Sequence, residues 1–154
     1  MKLRIITRKD EIHLKKIYFD SINSIDEKIY SQRQKLAWSS QAWDNAEFKN
    51  SIIKGKGLII YDQNKIIGFA VRYPINKLAL FYIRGDSKRK GYGTILLKHI
   101  EKDAIKDGLI KIETEASLIS YRLLKKNSWK IIGKERIIIK DTLFERYKMI
   151  KNFK

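Results

Sequence analysis

LALFYIRGDSKRKGYGTILLKHIEKDAIKD, residues 78–107, reads as an apolar strand, a short basic turn bearing glycines, and an amphipathic helix. Residues 78–83 carry no charge on either face, the pattern of a central strand covered on both sides. The chain then turns through Arg84, Gly85, Asp86 and Ser87. The helix that follows puts Leu96, Leu97, Ile100 and Ala104 on one face. Gly91 and Gly93 permit backbone angles that point successive N–H groups into one concavity, and the unpaired N–H groups of the helix's first turn add to it. Such a concavity is a cradle for a phosphate. A Walker loop would need Lys where Thr94 stands, and a dinucleotide fingerprint would need a third glycine in place of Leu96, so neither describes it.

Composition bounds what the cradle can serve. A chain of 154 residues with 44% apolar side chains has one domain's length and enough apolar surface for a sizeable core, so residues 1–154 are read as a single domain. No apolar run approaches a membrane span, and the N-terminal MKLRIITRKDEIHLKK lacks a signal-peptide core, which predicts a cytoplasmic protein that engages no membrane. With no Cys and two separated His, the sequence offers no disulfide, thiol nucleophile or thiolate zinc site, and no metal is implied. The net charge of +17 is the first footprint of nucleic-acid binding. Yet only 9 of the 34 basic residues are Arg, the Lys are spread over every segment, and aromatic residues are not interleaved with Arg as stacking platforms require. Solvated faces account for most of it.

In chain order, residues 3–7 form a first strand. A helix from Lys9-Asp10 follows, with Leu14, Ile17, Tyr18, Ile22 and Ile25 on its apolar face. A second helical region, broken or bent, spans residues 31–54 and carries Leu36, Trp38, Trp43, Phe48 and Ile52. Residues 58–61 and 65–73 read as a hairpin across Asp62-Gln63-Asn64, closed by Pro74. Beyond the third helix, which Gly108 ends, residues 110–116 alternate Ile110, Ile112 and Thr114 against Lys111, Glu113 and Glu115. Residues 117–127 form a last helix capped by Ser117. Residues 129–139 and 142–150 pair across Lys140-Asp141, with Leu143, Tyr147 and Met149 on one face.

Lys88-Arg89-Lys90-Gly91-Tyr92-Gly93 resembles the coenzyme A loop of the GNAT superfamily of N-acetyltransferases, Arg/Gln-x-x-Gly-x-Gly/Ala, with Lys88 departing from the usual first residue. Ser117-Leu-Ile-Ser120-Tyr-Arg-Leu123-Leu124-Lys-Lys-Asn-Ser128-Trp129 is similar to the family's Asn-x-x-Ala-x-x-Phe-Tyr-x-x-x-Gly-Phe. Tyr30-Ser31 with Ala37-Trp38-Ser39 looks like a stretch that lines the acceptor pocket in one bacterial branch. The element order βααβββαβαββ is the family's order over essentially the whole chain. The resemblance implies an α+β, α/β/α layered fold. Its twisted sheet is mixed and mostly antiparallel, with about seven strands and about four helices, splayed between strands 4 and 5.

From the resemblance follow the expected roles. Phe81, Tyr82 and Ile83 of the splayed fourth strand would meet the pantetheine arm of acetyl-CoA, and the Ile83 N–H would be the oxyanion donor. Lys88, Arg89, Lys90, Gly91, Tyr92, Gly93 and Thr94 would hold its pyrophosphate, and Ser117, Ser120, Leu124 and Lys126 would flank it from the last helix. Tyr30, Trp38 and Tyr73 are the acceptor candidates. Leu124 stands where the family's frequent general-acid tyrosine would be, and Tyr121 lies one turn earlier as the substitute. The family's glutamate base is missing from the fourth strand, which leaves Glu113 and Glu115 of the fifth, with Glu115 preferred; either is also a solvated, ion-paired strand residue.

The implied activity is direct transfer of an acetyl group from acetyl-CoA to a primary amine of a small molecule or peptide. A non-catalytic acyl-CoA-binding regulatory domain is the alternative, and a basic nucleic-acid-associated protein ranks last. The apolar Ile137-Ile138-Ile139 of the sixth strand is read either as core or as a face covered by a second copy in a homodimer, since domains of this family often pair through their last strands.

Overall fold

The computed structural model describes residues 1–153. Its order is β1 (Lys2–Ile5), a 3-10 turn (Arg8–Asp10), α1 (Glu11–Asn23), α2 (Gln32–Ser39), α3 (Gln41–Asp44), α4 (Ala46–Lys54), β2 (Lys56–Asp62), β3 (Lys65–Arg72) and β4 (Leu78–Ile83). A second 3-10 turn (Gly85–Ser87) leads to α5 (Tyr92–Lys106), β5 (Lys111–Ala116), α6 (Ser120–Lys126), β6 (Lys130–Ile139) and β7 (Thr142–Asn152). The expected second helical region is three short helices. A capping box joins Ser31 and Gln34 at the start of α2, and the Asn45 side chain caps α4.

Strands pair antiparallel within two sheets, ordered β1-β2-β3-β4 and β5-β7-β6. Gln63-Asn64 and Lys140-Asp141 all take positive φ, the two-residue turn that matches strand twist. Between the sheets, among the described residues the β-pairing is a single parallel bridge of Lys77, just before β4, with Glu113 of β5, so the expected splay is present. One face is covered by α1 and α4 through Leu14, Ile17, Ile22, Phe48 and Ile52, packed on Ile59, Phe69 and Val71. The other is covered by α5 through Leu96, Leu97, Ile100 and Ala104, packed on Ile60, Ala70, Ile112 and Met149.

Several expectations are corrected. The strand buried throughout its length from Ile67 to Arg72 is β3, which has a partner on each edge; β4 is covered on both faces but its outer edge is open, so Ala79 to Ile83 stay half-buried. Ile110 precedes β5 and is exposed. Leu143 shares a strand face with Met149, but it lies at the far end of the hairpin and stays half-exposed, while Phe144 on the other face packs against Tyr30 and Ala37. Leu36 and Trp43 are exposed too. Helix α6 starts at Ser120, three residues later than read, and Ile119 is its N-cap; Ser117 lies in the turn before it, where its Oγ accepts from the N–H groups of Ile119 and Ser120 at 3.2 and 3.0 Å.

Candidate active site

The opening between β4 and β5 has a defined apex. The Glu113 N–H donates to the Asn76 carbonyl at 3.0 Å, and Thr114 Oγ1 donates to the Leu78 carbonyl at 2.6 Å. Beyond these the strands diverge. On its other edge β4 carries a bulge: Val71 pairs with Leu80 but Arg72 pairs with Leu78, so Ala79 is an extra residue. The bulge reverses which residues face the opening. Downstream of it the Arg84 N–H donates to Ile67 of β3 at 2.8 Å, and by alternation Tyr82 faces β3 as well. The N–H groups of Phe81 and Ile83 therefore turn into the opening.

That opening is one end of a cavity of about 680 Å³. It brings together Phe81, Tyr82, Glu115, Ser117, Ser120 and Leu124 with the acceptor candidates Tyr30, Trp38 and Tyr73. Tyr121 is not in its lining. Its ring packs on Tyr147 at 4.8 Å, and Arg122 Nε donates to its hydroxyl at 3.3 Å, a bond that lowers the phenol's pKa. Tyr121 follows Ser120 on α6 but turns onto β7, while Ser117, Ser120 and Leu124 face the cavity. Lys126 is exposed at the end of α6.

At the other side of β4, the basic loop is held by α1. Asp20 accepts from the Gly85 N–H at 2.8 Å, and Lys88 Nζ donates to the Ser21 carbonyl at 2.8 Å and to Ser24 Oγ at 2.9 Å. The Lys88 side chain is thus a strut to α1, and burial lowers its pKa. Arg89 and Lys90 are exposed. Arg89 and Gly91 take φ of 62° and 86°, and no side chain caps α5, which leaves the N–H groups of Tyr92, Gly93 and Thr94 directed outward. A Cβ on Gly93 would lie 3.1 Å from Leu123 Cδ2, so glycine lets α5 approach α6 closely. The Tyr92 hydroxyl donates to Asp62 at 3.0 Å, which raises its pKa.

The acceptor end is aromatic. Tyr30 accepts from the Leu118 N–H at 2.8 Å and stacks edge-on to Trp38, with ring centroids 5.3 Å apart. Tyr18, Phe48 and Phe144 join the lining; the sequence marked Tyr18 and Phe48 only as apolar helix positions. Tyr18 donates to the Trp38 carbonyl at 2.9 Å. Burial pushes the hydroxyl pKa of Tyr18, Tyr30 and Tyr82 upward, so all three are protonated at neutral pH. Glu115 is ion-paired, with Lys77 Nζ at 2.6 Å and Arg146 at 3.7 Å. Lys35 behaves unlike the other lysines. It is buried, and its Nζ donates to the Ile25 carbonyl at 2.8 Å, tying α2 to the chain just after α1.

Among the described residues no helix is long and apolar enough to cross a membrane, and no cluster of His, Cys, Asp and Glu is suited to hold a metal ion. None of the curated proteins compared with this sequence matches it significantly. Among solved structures, a GCN5-related N-acetyltransferase of Rhodopseudomonas palustris superposes with a TM-score of 0.92 at 24% identity, covering 98% of this chain and 94% of the other. The PaiA N-acetyltransferase of Thermoplasma acidophilum, in complex with coenzyme A, superposes with 0.76 at 20% identity over 99% of both chains. A ribosomal-protein-alanine N-acetyltransferase of Brucella melitensis reaches 0.70 at 15% identity, again over 99% of both. At these identities the likeness speaks to the fold. The profile of the Acetyltransferase (GNAT) family matches residues 19–127, from the middle of α1 to the residue after α6, so the loop, the opening and α6 all fall inside it, and the chain belongs to that family.

Proposed function

We propose that the protein is an acetyl-CoA-dependent N-acetyltransferase that moves the acetyl group directly to a primary amine of a small molecule or peptide. The observation that carries the reading is the opening beside β4, where the N–H groups of Phe81 and Ile83 alternate away from β3, between the uncapped start of α5 and an aromatic cavity that Phe81 lines and Ile83 does not. The α5 N–H groups, with Arg89 and Lys90, would hold the pyrophosphate. Phe81 and Ile83 would then hold the pantetheine arm and the thioester oxygen, with Ile83 or its neighbour two residues earlier as oxyanion donor.

The amine nitrogen attacks the thioester carbonyl carbon, a carbon–nitrogen bond forms, and collapse breaks the carbon–sulfur bond to release the coenzyme's thiolate. Ser117 and Ser120 line the cavity on the stripe that ends at Leu124, so their hydroxyls are the donors this chain offers to the thiolate in place of a tyrosine. Glu115, held between Lys77 and Arg146, would receive the amine's proton, and the rate is expected to rise with pH as more acceptor amine is neutral.

Calorimetric titration with acetyl-CoA, repeated on Gly91→Asp, tests the binding half. Saturable binding that the variant loses supports the site, since the carboxylate would face the phosphate. Thiol release with an amine panel tests turnover. Binding without thiol release would favour a regulatory domain, a reading that the buried Leu124 and the displaced Tyr121 keep open.

A further inference from the structure

The cavity bears a charge opposite to that of the rest of the molecule. The chain carries a formal +17, yet the charged side chains in the cavity wall are Glu47, Glu115, Glu145, Lys77 and Arg146. Four of these five are matched. Glu115 lies between Lys77 and Arg146, and Glu145 faces Lys134 and Arg136 at 3.2 and 3.7 Å. Glu47 has no ion-pair partner among the described residues. It is exposed at the cavity rim in the first turn of α4, where Asn45 Oδ1 accepts the Glu47 backbone N–H at 2.8 Å. Ser51, one turn later on the same helix, and Gln41 from α3 face the cavity as well, and neither side chain is engaged with another described residue. Trp38, Tyr73 and Tyr82 are part of the same wall, and aromatic rings attract cations.

We propose that the acceptor is an amine carrying a second cationic group, with that distal cation at Glu47 and the reacting amine in the opening beside Phe81. The proposal rests on the acetyltransferase reading above. An exposed carboxylate without a partner at the rim of an aromatic cavity is free to pair with a cation that the ligand brings. An acceptor ending in a carboxylate would instead meet like charge, so the same residue selects against amino acids.

The test is steady-state acetylation of linear diamines, the matched monoamines and the matched ω-amino acids, which differ only at the far end. Diamines are expected to have the highest kcat/KM and amino acids the lowest, with the difference carried by KM. Glu47→Gln should collapse the preference for diamine over monoamine by up to about fivefold, the scale of one exposed charge pair. A merely structural effect would lower both substrates alike and would overturn the assignment, as would equal rates for diamine and monoamine or a preference for the amino acid. Calorimetry of diamine binding to the coenzyme-free protein and to Glu47→Gln reads the same contact without turnover. Coenzyme A is titrated separately, so loss of the acetyltransferase reading and loss of the acceptor assignment give different results.

Discussion

Thr114 Oγ1 donates to the Leu78 carbonyl oxygen over 2.6 Å, and no hydrogen bond joins β4 to β5 beyond it among the described residues. Both residues are buried. The bond therefore fixes where the strands part. Thr114→Val keeps the shape and removes the donor, leaving a buried carbonyl unpaired at a cost of about 1–2 kcal/mol. Urea unfolding should show a lower midpoint at unchanged slope. Because the apex loosens, affinity for coenzyme A should fall as well.

The Lys88 strut makes a separable prediction. Were its ammonium to contact the coenzyme's phosphates, Lys88→Met would flatten the salt dependence of coenzyme binding. Its bonds to Ser21 and Ser24 say otherwise. Affinity should weaken several-fold through loss of loop position, while the salt slope stays that of the wild type. Titrations at several ionic strengths distinguish the two.

Acid should release the N-terminal strand. Asp10 is buried, and hydrogen bonds from Arg4, with those from Thr7, lower its pKa from 3.8 to about 2. The folded value lies below the unfolded one, so the carboxylate contributes stability that is present above about pH 4 and is lost as pH falls toward 2. With Arg4 half-exposed, solvent screening limits the contribution to about 1–2 kcal/mol. Asp10→Asn should be less stable at neutral pH and should show a shallower loss between pH 4 and 2, measured by denaturant unfolding across that range.

What could be read in advance was local. The strand, turn and helix of residues 78–107 follow from periodicity and two glycines, and the order of elements follows from similar signals. The features that shape the site join residues far apart in the chain. Asp20, Ser21 and Ser24 look like ordinary helix polar residues until the fold sets them against Gly85 and Lys88. The bulge at Ala79 is a matter of register with β3, which no pattern inside an apolar run reveals. Tyr121 is a further case. It stands four residues after Ser117 and three before Leu124, spacings that place it beside their stripe, so its turn away onto Tyr147 could not be read from the sequence.

Glu101 joins three elements in the core behind the site. On α5, its Oε2 accepts from Trp129 Nε1 at 2.9 Å and its Oε1 accepts from Lys151 Nζ at 2.6 Å, while Lys151 also donates to the Asn127 carbonyl at 2.8 Å. One carboxylate thus ties α5 to both ends of the β6–β7 hairpin. Glu101→Ala removes it and strands a mostly buried ammonium and an indole N–H, which should cost about 3 kcal/mol or more. Replacing Glu101 and Lys151 together by Met removes the orphaned charge along with the pair and should recover most of that loss. The Trp129→Phe variant loses the charge-assisted hydrogen bond together with part of a buried ring and should fall by at least about 1.5–3 kcal/mol. Unfolding midpoints of the three variants decide it: a double variant no more stable than Glu101→Ala would mean that the network acts through packing rather than through charge.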